Sequence, residues 1–447
     1  MSMKISVVGT GYLGVTHAAC MAELGFEVIG VDVDPHKVRM LSDGQLPFHE
    51  PGLGELLRTH VASGRLRFTT DYGRVAEWAD VHFIGVGTPQ RNDGHGADMR
   101  YVDAAVAELA TRIRGKALIV GKSTVPVGTA RRLSGLIAAN ANPGAEITLA
   151  WNPEFLREGY AVRDTMTPDR LVLGCEDGTS EAILRQVYAR ALDAGTPVIV
   201  TDFETAELVK VAANAFLATK ISFINSFAEI TETIGGDITV LADALGHDAR
   251  IGRKFLNAGV GFGGGCLPKD IRALQARTSE LGLTHTMGFL AEVDEINLRR
   301  RERVVRLSHA MLDDKLVGAR VAVLGVSFKP DSDDVRDSPA LDIAVRLFNA
   351  GADVLVYDPE GNKNAAERFP RLIYAKDLAE AVYNADLVLL LTEWAEFKAL
   401  VPTDLEPLVA AHRIIDGRNV LSRGQWEEAG WEIVGMGQHY PPLDGQL

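Results

Sequence analysis

The chain has 447 residues, 47% hydrophobic and 24% charged, a globular mix that, at roughly 100 to 200 residues per domain, predicts two or three domains. Its 46 Lys and Arg face 60 Asp and Glu, a net charge of −14, which argues against nucleic acid as a partner because no broad positive field exists to hold a phosphodiester backbone. Three cysteines (Cys20, Cys175, Cys266) make a poor disulfide framework, no apolar run nears the ~20 residues that span a bilayer, and no signal-peptide pattern precedes the first strand, so a cytoplasmic protein without a membrane partner is expected.

In chain order, an apolar run from Ile5 to Val8, a glycine-rich turn, a helical stretch to Leu24 and a second run from Val28 to Val31 closing at Asp32 read as strand, turn, helix, strand. Further short apolar strands follow at Val81–Val86, Ala117–Val120 and Ile147–Ala150. From Thr205 to about Ile234, apolar residues recur at helical spacing with no Gly or Pro between them, which predicts one long helix; a second spans Met287 to about Leu312. The alternating pattern then returns: strand Val321–Gly325, helix Ser338–Asn349, strand Ala352–Val356 ending at Asp358, strand Leu387–Leu391. Ala385-Asp386-Leu387-Val388 even echoes Ala79-Asp80-Val81-His82. The prediction is an α/β protein with two Rossmann-like, doubly wound domains joined by a long central helical region. The boundaries fall at residues 1–200, 201–312 and 313–447. Long helices of this kind usually bury a stripe against a neighbour, so the central region is expected to form a homodimer interface.

Gly9, Gly11 and Gly14 form Gly-x-Gly-x-x-Gly directly after a strand and at the start of a helix. Without Cβ atoms the turn is tight and its backbone can approach a pyrophosphate at the positive end of the helix. Asp32, at the end of the next strand, can accept hydrogen bonds from ribose hydroxyls and would repel a 2′-phosphate, which selects NAD over NADP. Lys37, in the following helix, can reach the same ribose. The equivalent turn of the second α/β domain, Gly325 to Pro330, lacks the glycine triplet, so no dinucleotide is expected there. Lys329 and Arg418 place cations near strand ends where a phosphate can bind, although either alone reads more readily as a solvated surface charge.

Gly259 to Leu267 reads Gly-Val-Gly-Phe-Gly-Gly-Gly-Cys-Leu, followed by Pro268, Lys269 and Asp270. So many glycines suit a loop that wraps a ligand and make a poor core element. Pro268 favours the first turn of a helix, which places Cys266 by a helix N-terminus and beside Lys269, where both dipole and lysine favour a thiolate nucleophile. Cys20 and Cys175 read as buried, inert thiols. Lys210 and Asn214, four apart on the long helix, share a face, and both can donate to a developing oxyanion. A helical lysine is usually solvated, but this one stands among Val209, Val211, Ala212 and Ala213. The segment Asn152 to Gly159 follows a strand end, and its carboxylates can position a water or a substrate hydroxyl, or serve only as ion-pair partners.

Gly9 to Gly14, Lys122-Ser-Thr-Val-Pro-Val-Gly128, Asn152 to Gly159, Glu204-Thr-Ala-Glu207-Leu208, Arg250-Ile-Gly, Phe262 to Asp270 and Gly325 to Pro330 together resemble the UDP-glucose/GDP-mannose dehydrogenase family, in order and over nearly the whole chain. The runs Ala212 to Asn225 and Arg250 to Gly259 resemble its UDP-glucose branch more than its GDP-mannose branch. The resemblance implies a double oxidation of a sugar-nucleotide alcohol to a carboxylate with two NAD. UDP-glucose is the expected substrate, with a UDP-N-acetylhexosamine or GDP-mannose as the alternative; a one-step alcohol dehydrogenase and a non-catalytic sugar-nucleotide sensor are the rivals. It implies that Cys266 captures the aldehyde as a thiohemiacetal that becomes a thioester, that Lys210 and Asn214 stabilise the oxyanion, and that Asp270, Thr124 and Glu154 arrange proton transfer and the hydrolytic water. For NAD it implies Asp32, Lys37, Thr88, Thr124, Glu158, Lys269 and Arg336. For the nucleotide sugar it implies Glu154, Phe155, Leu156, Glu158, Lys210, Asn214, Phe255, Leu256, Gly259, Gly263, Lys329 and Arg418, with Arg250 reaching in from a partner subunit. No metal is expected. Gly265 departs from the serine that many relatives carry, which implies a looser cysteine loop.

Overall fold

The computed structural model describes residues 3–440. Residues 1–2 and 441–447, the two ends of the expected first and last segments, lie outside the described residues. The chain divides into two compact units, the first running to Ala213 and taking in Ala276–Gly282, the second made of the remainder from Asn214.

The first unit is built on eight strands: β1 (Lys4–Val8), β2 (Glu27–Val31), β3 (Leu66–Thr69), β4 (Val81–Ile84), β5 (Lys116–Gly121), β6 (Glu146–Trp151), β7 (Leu171–Cys175) and β8 (Val198–Thr201). Their order is β3-β2-β1-β4-β5-β6-β7-β8. Ile5 pairs with Val28 on one side and Val81 on the other, so the order reverses at β1 and a crevice opens between the ends of β1 and β4. Helices cover both faces, which is why the strands read as continuous apolar runs: β4 is buried at every position. One core packs Ile5, Val7, Val15 and Phe83 together, and another packs Val8, Ile84, Ile119 and Trp151. Each such side chain, fully buried, contributes about 1.5–3 kcal/mol. The sheet is parallel except at one place, where β7 runs antiparallel to β6. The connection between them holds only the six-residue helix Ala161–Met166, and an antiparallel return needs no covering crossover.

The long helix is Phe203–Ile234, 32 residues, or about 48 Å at 1.5 Å per residue. Phe203 and Ala206 are buried in the core of the first unit, and Ile224 and Ala228 pack with Ile238, Ala242 and Leu256 in the second. The second long helix is Phe289–Met311. A six-stranded, wholly parallel sheet follows, with β9 (Arg320–Leu324), β10 (Asp353–Tyr357), β11 (Ile373–Tyr374), β12 (Leu387–Leu390), β13 (Arg413–Asp416) and β14 (Glu432–Gly435) in the order β11-β10-β9-β12-β13-β14. It repeats the topology of the first six strands. The helix Pro339–Asn349 starts as expected, with Ser338 as N-cap accepting the Leu341 amide. Among the described residues no helix is long and apolar enough to cross a membrane, and no group of three or more His, Cys, Asp or Glu is arranged to hold a metal ion.

Candidate active site

In the first unit the glycine turn joins β1 to the helix Tyr12–Glu23, whose N-cap, Gly11, provides no side-chain capping bond. Gly9 has φ +89°, and a Cβ there would stand 2.8 Å from the Val86 backbone; one on Gly14 would stand 1.8 Å from the Gly9 carbonyl oxygen. Those two glycines are demanded by the fold. A Cβ on Gly11 would meet nothing within 4 Å, so that side of the turn is open in front of uncapped helix amides, the arrangement that receives a pyrophosphate. Asp32 accepts the Thr10 amide and hydroxyl at 2.9 Å each, the Asp34 amide at 3.1 Å and the Lys37 ammonium at 2.9 Å. Burial pushes its carboxyl up, but Lys37 and the two amides outweigh that and hold it below the ordinary carboxylate range. The residues present therefore fit NAD: an open anion cradle and an ionised acid at the end of β2. Thr88 and Thr124, expected on the same cofactor, meet through a 2.8 Å bond from the Thr88 hydroxyl to the Thr124 carbonyl.

The segment after β6 carries Glu154, which pairs with Lys210 at 2.9 Å and accepts the Leu156 amide at 2.5 Å. The side chains of Lys210 and Glu154 are only 6% and 13% exposed, so the solvated reading of this lysine is wrong. The Phe155 ring stacks under the Arg170 guanidinium at 3.8 Å. Two residues that sequence reasoning left without a role also converge here. Lys122, buried, donates to Asn152 Oδ1 at 2.9 Å, and Tyr188 donates to the same oxygen at 2.5 Å. Burial lowers the Lys122 ammonium to about 8 against the opposing field of Glu154. A cavity of about 50 Å³ is lined by Lys122, Asn152, Glu154, Tyr188, His17 and Arg170, among others. Glu207, one turn before Lys210, receives the Gly128 and Ala130 amides at 2.7 and 2.6 Å, and burial raises its carboxyl to about 7. Lys122 and Glu207 both lay inside motifs already singled out, but nothing in their spacing showed that they were buried.

In the second unit Cys266 is exposed and stands directly before the helix Leu267–Glu280, its carbonyl accepting the Asp270 amide at 2.9 Å. The expected thiol at a helix N-terminus is therefore in place. Asp270, almost fully buried, accepts Asn214 Nδ2 and Lys269 Nζ at 2.6 Å each, so three of the expected residues form one hydrogen-bonded group. Cys20 is buried as expected, whereas Cys175, expected to be buried, is only half-buried; burial still pushes the two thiols up to about 12 and about 11.

The glycine loop is not the poor core element expected from its composition. Gly259 to Gly264 are buried, and the glycines are there for neighbouring protein atoms. Gly259 donates to Asn225 Oδ1 at 2.9 Å, and the Asn297 side chain exchanges hydrogen bonds with both the amide and the carbonyl of Phe262. A Cβ on Gly263 would fall 2.5 Å from the Asp337 carbonyl, and one on Gly265 would fall 2.4 Å from the guanidinium carbon of Arg336. The atoms that a Cβ on Gly265 would meet are the far end of the largely exposed Arg336 side chain, which can move aside. Arg418 donates to Leu391 O, Gly261 O and Phe328 O and pairs with Glu393, which ties the glycine loop to the ends of β9 and β12. Lys329 lies 5.5 Å over the Phe328 ring. Phe255, at φ +65°, is exposed while Leu256 is buried. Arg250 is 89% exposed and pairs with Asp248 in its own turn.

Set beside known proteins, the chain matches three parts of one family, the UDP-glucose/GDP-mannose dehydrogenase family: its NAD binding domain at residues 3–192, its central domain at 204–299 and its UDP binding domain at 322–423. It is 41% identical to a UDP-glucose 6-dehydrogenase of Rhizobium meliloti over 98% of this chain and 100% of that one. It is 40% identical to UDP-glucose 6-dehydrogenase TuaD of Bacillus subtilis over 97% and 93% of the two chains. Among solved structures, a UDP-glucose dehydrogenase of Pyrobaculum islandicum superposes with TM-score 0.87 at 37% identity, covering 94% of this chain and 95% of that one.

Proposed function

From the premise that the chain belongs to the UDP-glucose/GDP-mannose dehydrogenase family, we propose that it oxidises the C6 alcohol of UDP-glucose to UDP-glucuronate, with two NAD consumed per sugar. The observation that carries the mechanism is the exposed Cys266 at a helix N-terminus, one turn ahead of an Asp270 held by Asn214 and Lys269. NAD, when bound, accepts one hydride in each of the two oxidations.

In the proposed sequence the alcohol loses a hydride and its hydroxyl proton to become the aldehyde. The Cys266 sulfur adds to that carbon, and the new oxyanion is met by the Lys210 ammonium and the Asn214 amide. Loss of a second hydride from this tetrahedral adduct leaves a thioester. Water, ordered by Glu154 and Thr124, attacks the acyl carbon and expels the sulfur, with Asp270 taking up and returning the proton. Asp32, Lys37, Thr88, Thr124, Glu158, Lys269 and Arg336 hold the cofactor. Phe155, Leu156, Phe255, Leu256, Gly259, Gly263, Lys329 and Arg418 hold the sugar nucleotide. In this reading residues 1–200 bind NAD, 201–312 carry the cysteine loop and the dimer face, and 313–447 hold the UDP group.

A cytoplasmic homodimer is part of the proposal. Phe216, Phe223 and Ile230, seven residues apart on the long helix, are 65%, 48% and 49% exposed, an apolar stripe that a second copy would cover, bringing Arg250 to the partner's sugar nucleotide. The test is a panel of UDP-glucose, UDP-N-acetylhexosamines and GDP-mannose with NAD. UDP-glucose is expected to give two NADH per sugar, and Cys266→Ala to lose at least ~10³-fold in rate while still binding NAD. One NADH per sugar would remove the thioester, and a negligible rate with UDP-glucose alone would reject the substrate.

A further inference from the structure

Glu50 lies outside every motif singled out above, yet it is one of the most tightly held carboxylates of the first unit, at 5% exposure. Its Oε1 accepts the Ala161 amide at 2.8 Å, and its Oε2 accepts the Gly159 amide at 2.7 Å together with the Tyr12 hydroxyl. The same hydroxyl also accepts the Gly159 amide at 3.3 Å. Tyr12 is the first residue of the helix that opens on the glycine turn; Gly159 directly follows Glu158 and closes the Asn152–Gly159 segment. One carboxylate therefore ties the first turn of the cofactor helix to the end of the segment carrying Glu154 and Glu158.

A plain helix cap does not explain this arrangement. The short helix Ala161–Met166 gets no capping bond from its own N-cap, Tyr160, although a Ser or Asp there would provide one locally. The acceptor comes instead from more than 100 residues away in sequence, and it takes a third donor that the cap does not need. The Tyr12 ring packs on Phe48 with centroids 4.9 Å apart, so the link from glycine turn to carboxylate is short and stiff. Burial first, then the Glu50 hydrogen bond and the charges of Glu50 and Glu158, push the Tyr12 hydroxyl far above its ordinary range. It stays a donor at every working pH, and Glu158 lies close enough for its charge to act on it.

We propose that Glu50 is a positioning residue for the oxidation. By gripping Tyr12 and the Gly159 and Ala161 amides at once, it fixes Glu158 and its segment relative to the helix N-terminus that receives the cofactor pyrophosphate. The inference rests on the cofactor reading above, so its test begins with NAD binding measured directly, which needs no sugar and no turnover.

Hydrogen bonds to a buried carboxylate are strong, and losing their geometry typically shifts an equilibrium by roughly 10- to 100-fold. In Glu50→Gln one of the two amides faces an NH₂ group, and the Kd for NAD is expected to rise at least ~10-fold. With sugar nucleotide present, kcat should fall by a similar factor while the KM for sugar changes less. Tyr12→Phe leaves the grip on the amides and cuts only the bridge. Its Kd for NAD should rise ~5- to 10-fold with the melting temperature nearly unchanged, and adding it to Glu50→Gln should produce less than the product of the two effects. A lower melting temperature with the Kd for NAD and kcat both within twofold of the parent would make Glu50 a structural cap and overturn the proposal. If Glu50→Gln does not fold, Tyr12→Phe decides alone: an unchanged Kd for NAD refutes the bridge. If no sugar nucleotide is turned over, the proposed function fails while the NAD titration still tests Glu50.

Discussion

Lys122→Met gives the sharpest physical test of the first unit, because it swaps a buried ammonium for an apolar chain of similar length. The ammonium titrates at about 8 rather than 10.5, and at about 1.4 kcal/mol per pH unit that difference is worth about 3 to 4 kcal/mol. Burial is the main cause, with the charge of Lys210 acting in the same direction and that of Glu154 against it. The other groups lining its cavity or stacked on it are His17, which burial and the Lys122 charge keep neutral, Tyr188, Asp164, Asp169, Arg170 and the Phe83 ring. Below pH 8 both folded and unfolded chains carry the proton, and the folded state bears the whole penalty. Between pH 8 and 10.5 the unfolded chain binds the proton and the folded chain does not, so stability from this group rises with pH. Methionine removes the penalty but also the bond to Asn152 Oδ1, worth about 1 kcal/mol; that oxygen keeps its bond from Tyr188. The variant is expected to be about 2 to 3 kcal/mol more stable than the parent at pH 7 and about 1 kcal/mol less stable at pH 10.5. Calorimetric unfolding of both proteins across that range measures the difference, in which every other titration cancels. A gap independent of pH, or one that grows in favour of methionine as pH rises, would refute the argument and show that Glu154 holds Lys122 in its charged form.

Asp32→Asn should lower kcat/KM with NAD roughly 10- to 100-fold and leave NADP less disfavoured, since the amide no longer repels a 2′-phosphate; initial rates with the two cofactors check it, and an unchanged preference would remove Asp32 from the ribose. Phe223→Asp puts a charge in the middle of the exposed stripe on the long helix, and light scattering on a size-exclusion column should find monomer where the parent is dimer; a parent that is already monomeric, or a variant that remains dimeric, would place any interface elsewhere.

What was legible in the sequence was whatever depends on local chemistry. The glycine turn, the acid at the end of β2, the long helix and the cysteine ahead of Pro268 are each dictated by neighbours in the chain, and each lies where expected. The echo of Ala79-Asp80 in Ala385-Asp386 also has a physical reason that the letters did not show. Asp80 accepts the amide of Lys4 and Asp386 the amide of Arg320, both at 2.8 Å, so in each sheet an aspartate at the start of one strand satisfies the first amide of its neighbour. Glu50, Lys122 and Glu207 escaped because their importance lies in burial and in partners far along the chain, which no periodicity reports. Short strands such as β13 (Arg-Ile-Ile-Asp) and β14 (Glu-Ile-Val-Gly) escaped because two adjacent aliphatic residues in a four-residue strand carry too little pattern.

The two sheets show how the same position was put to different uses. Asp32 closes β2 and Asp358 follows β10, each beside the turn after the first strand, and Gly9 and Gly325 donate to the end of those second strands at the same 2.8 Å distance. Asp32 is gripped on its Oδ2 side by Thr10 and Lys37 and takes a single amide on Oδ1. The Oδ2 of Asp358 takes the Val326 and Ser327 amides and the Trp394 indole, and its Oδ1 takes the Ser327 hydroxyl and the Glu360 and Gly361 amides. Six donors exhaust a carboxylate's lone pairs, so no acceptor remains for a ribose. The missing glycine triplet and the saturated acid therefore agree: with its lone pairs taken by protein donors, Asp358 has none to offer a ribose hydroxyl, unlike Asp32.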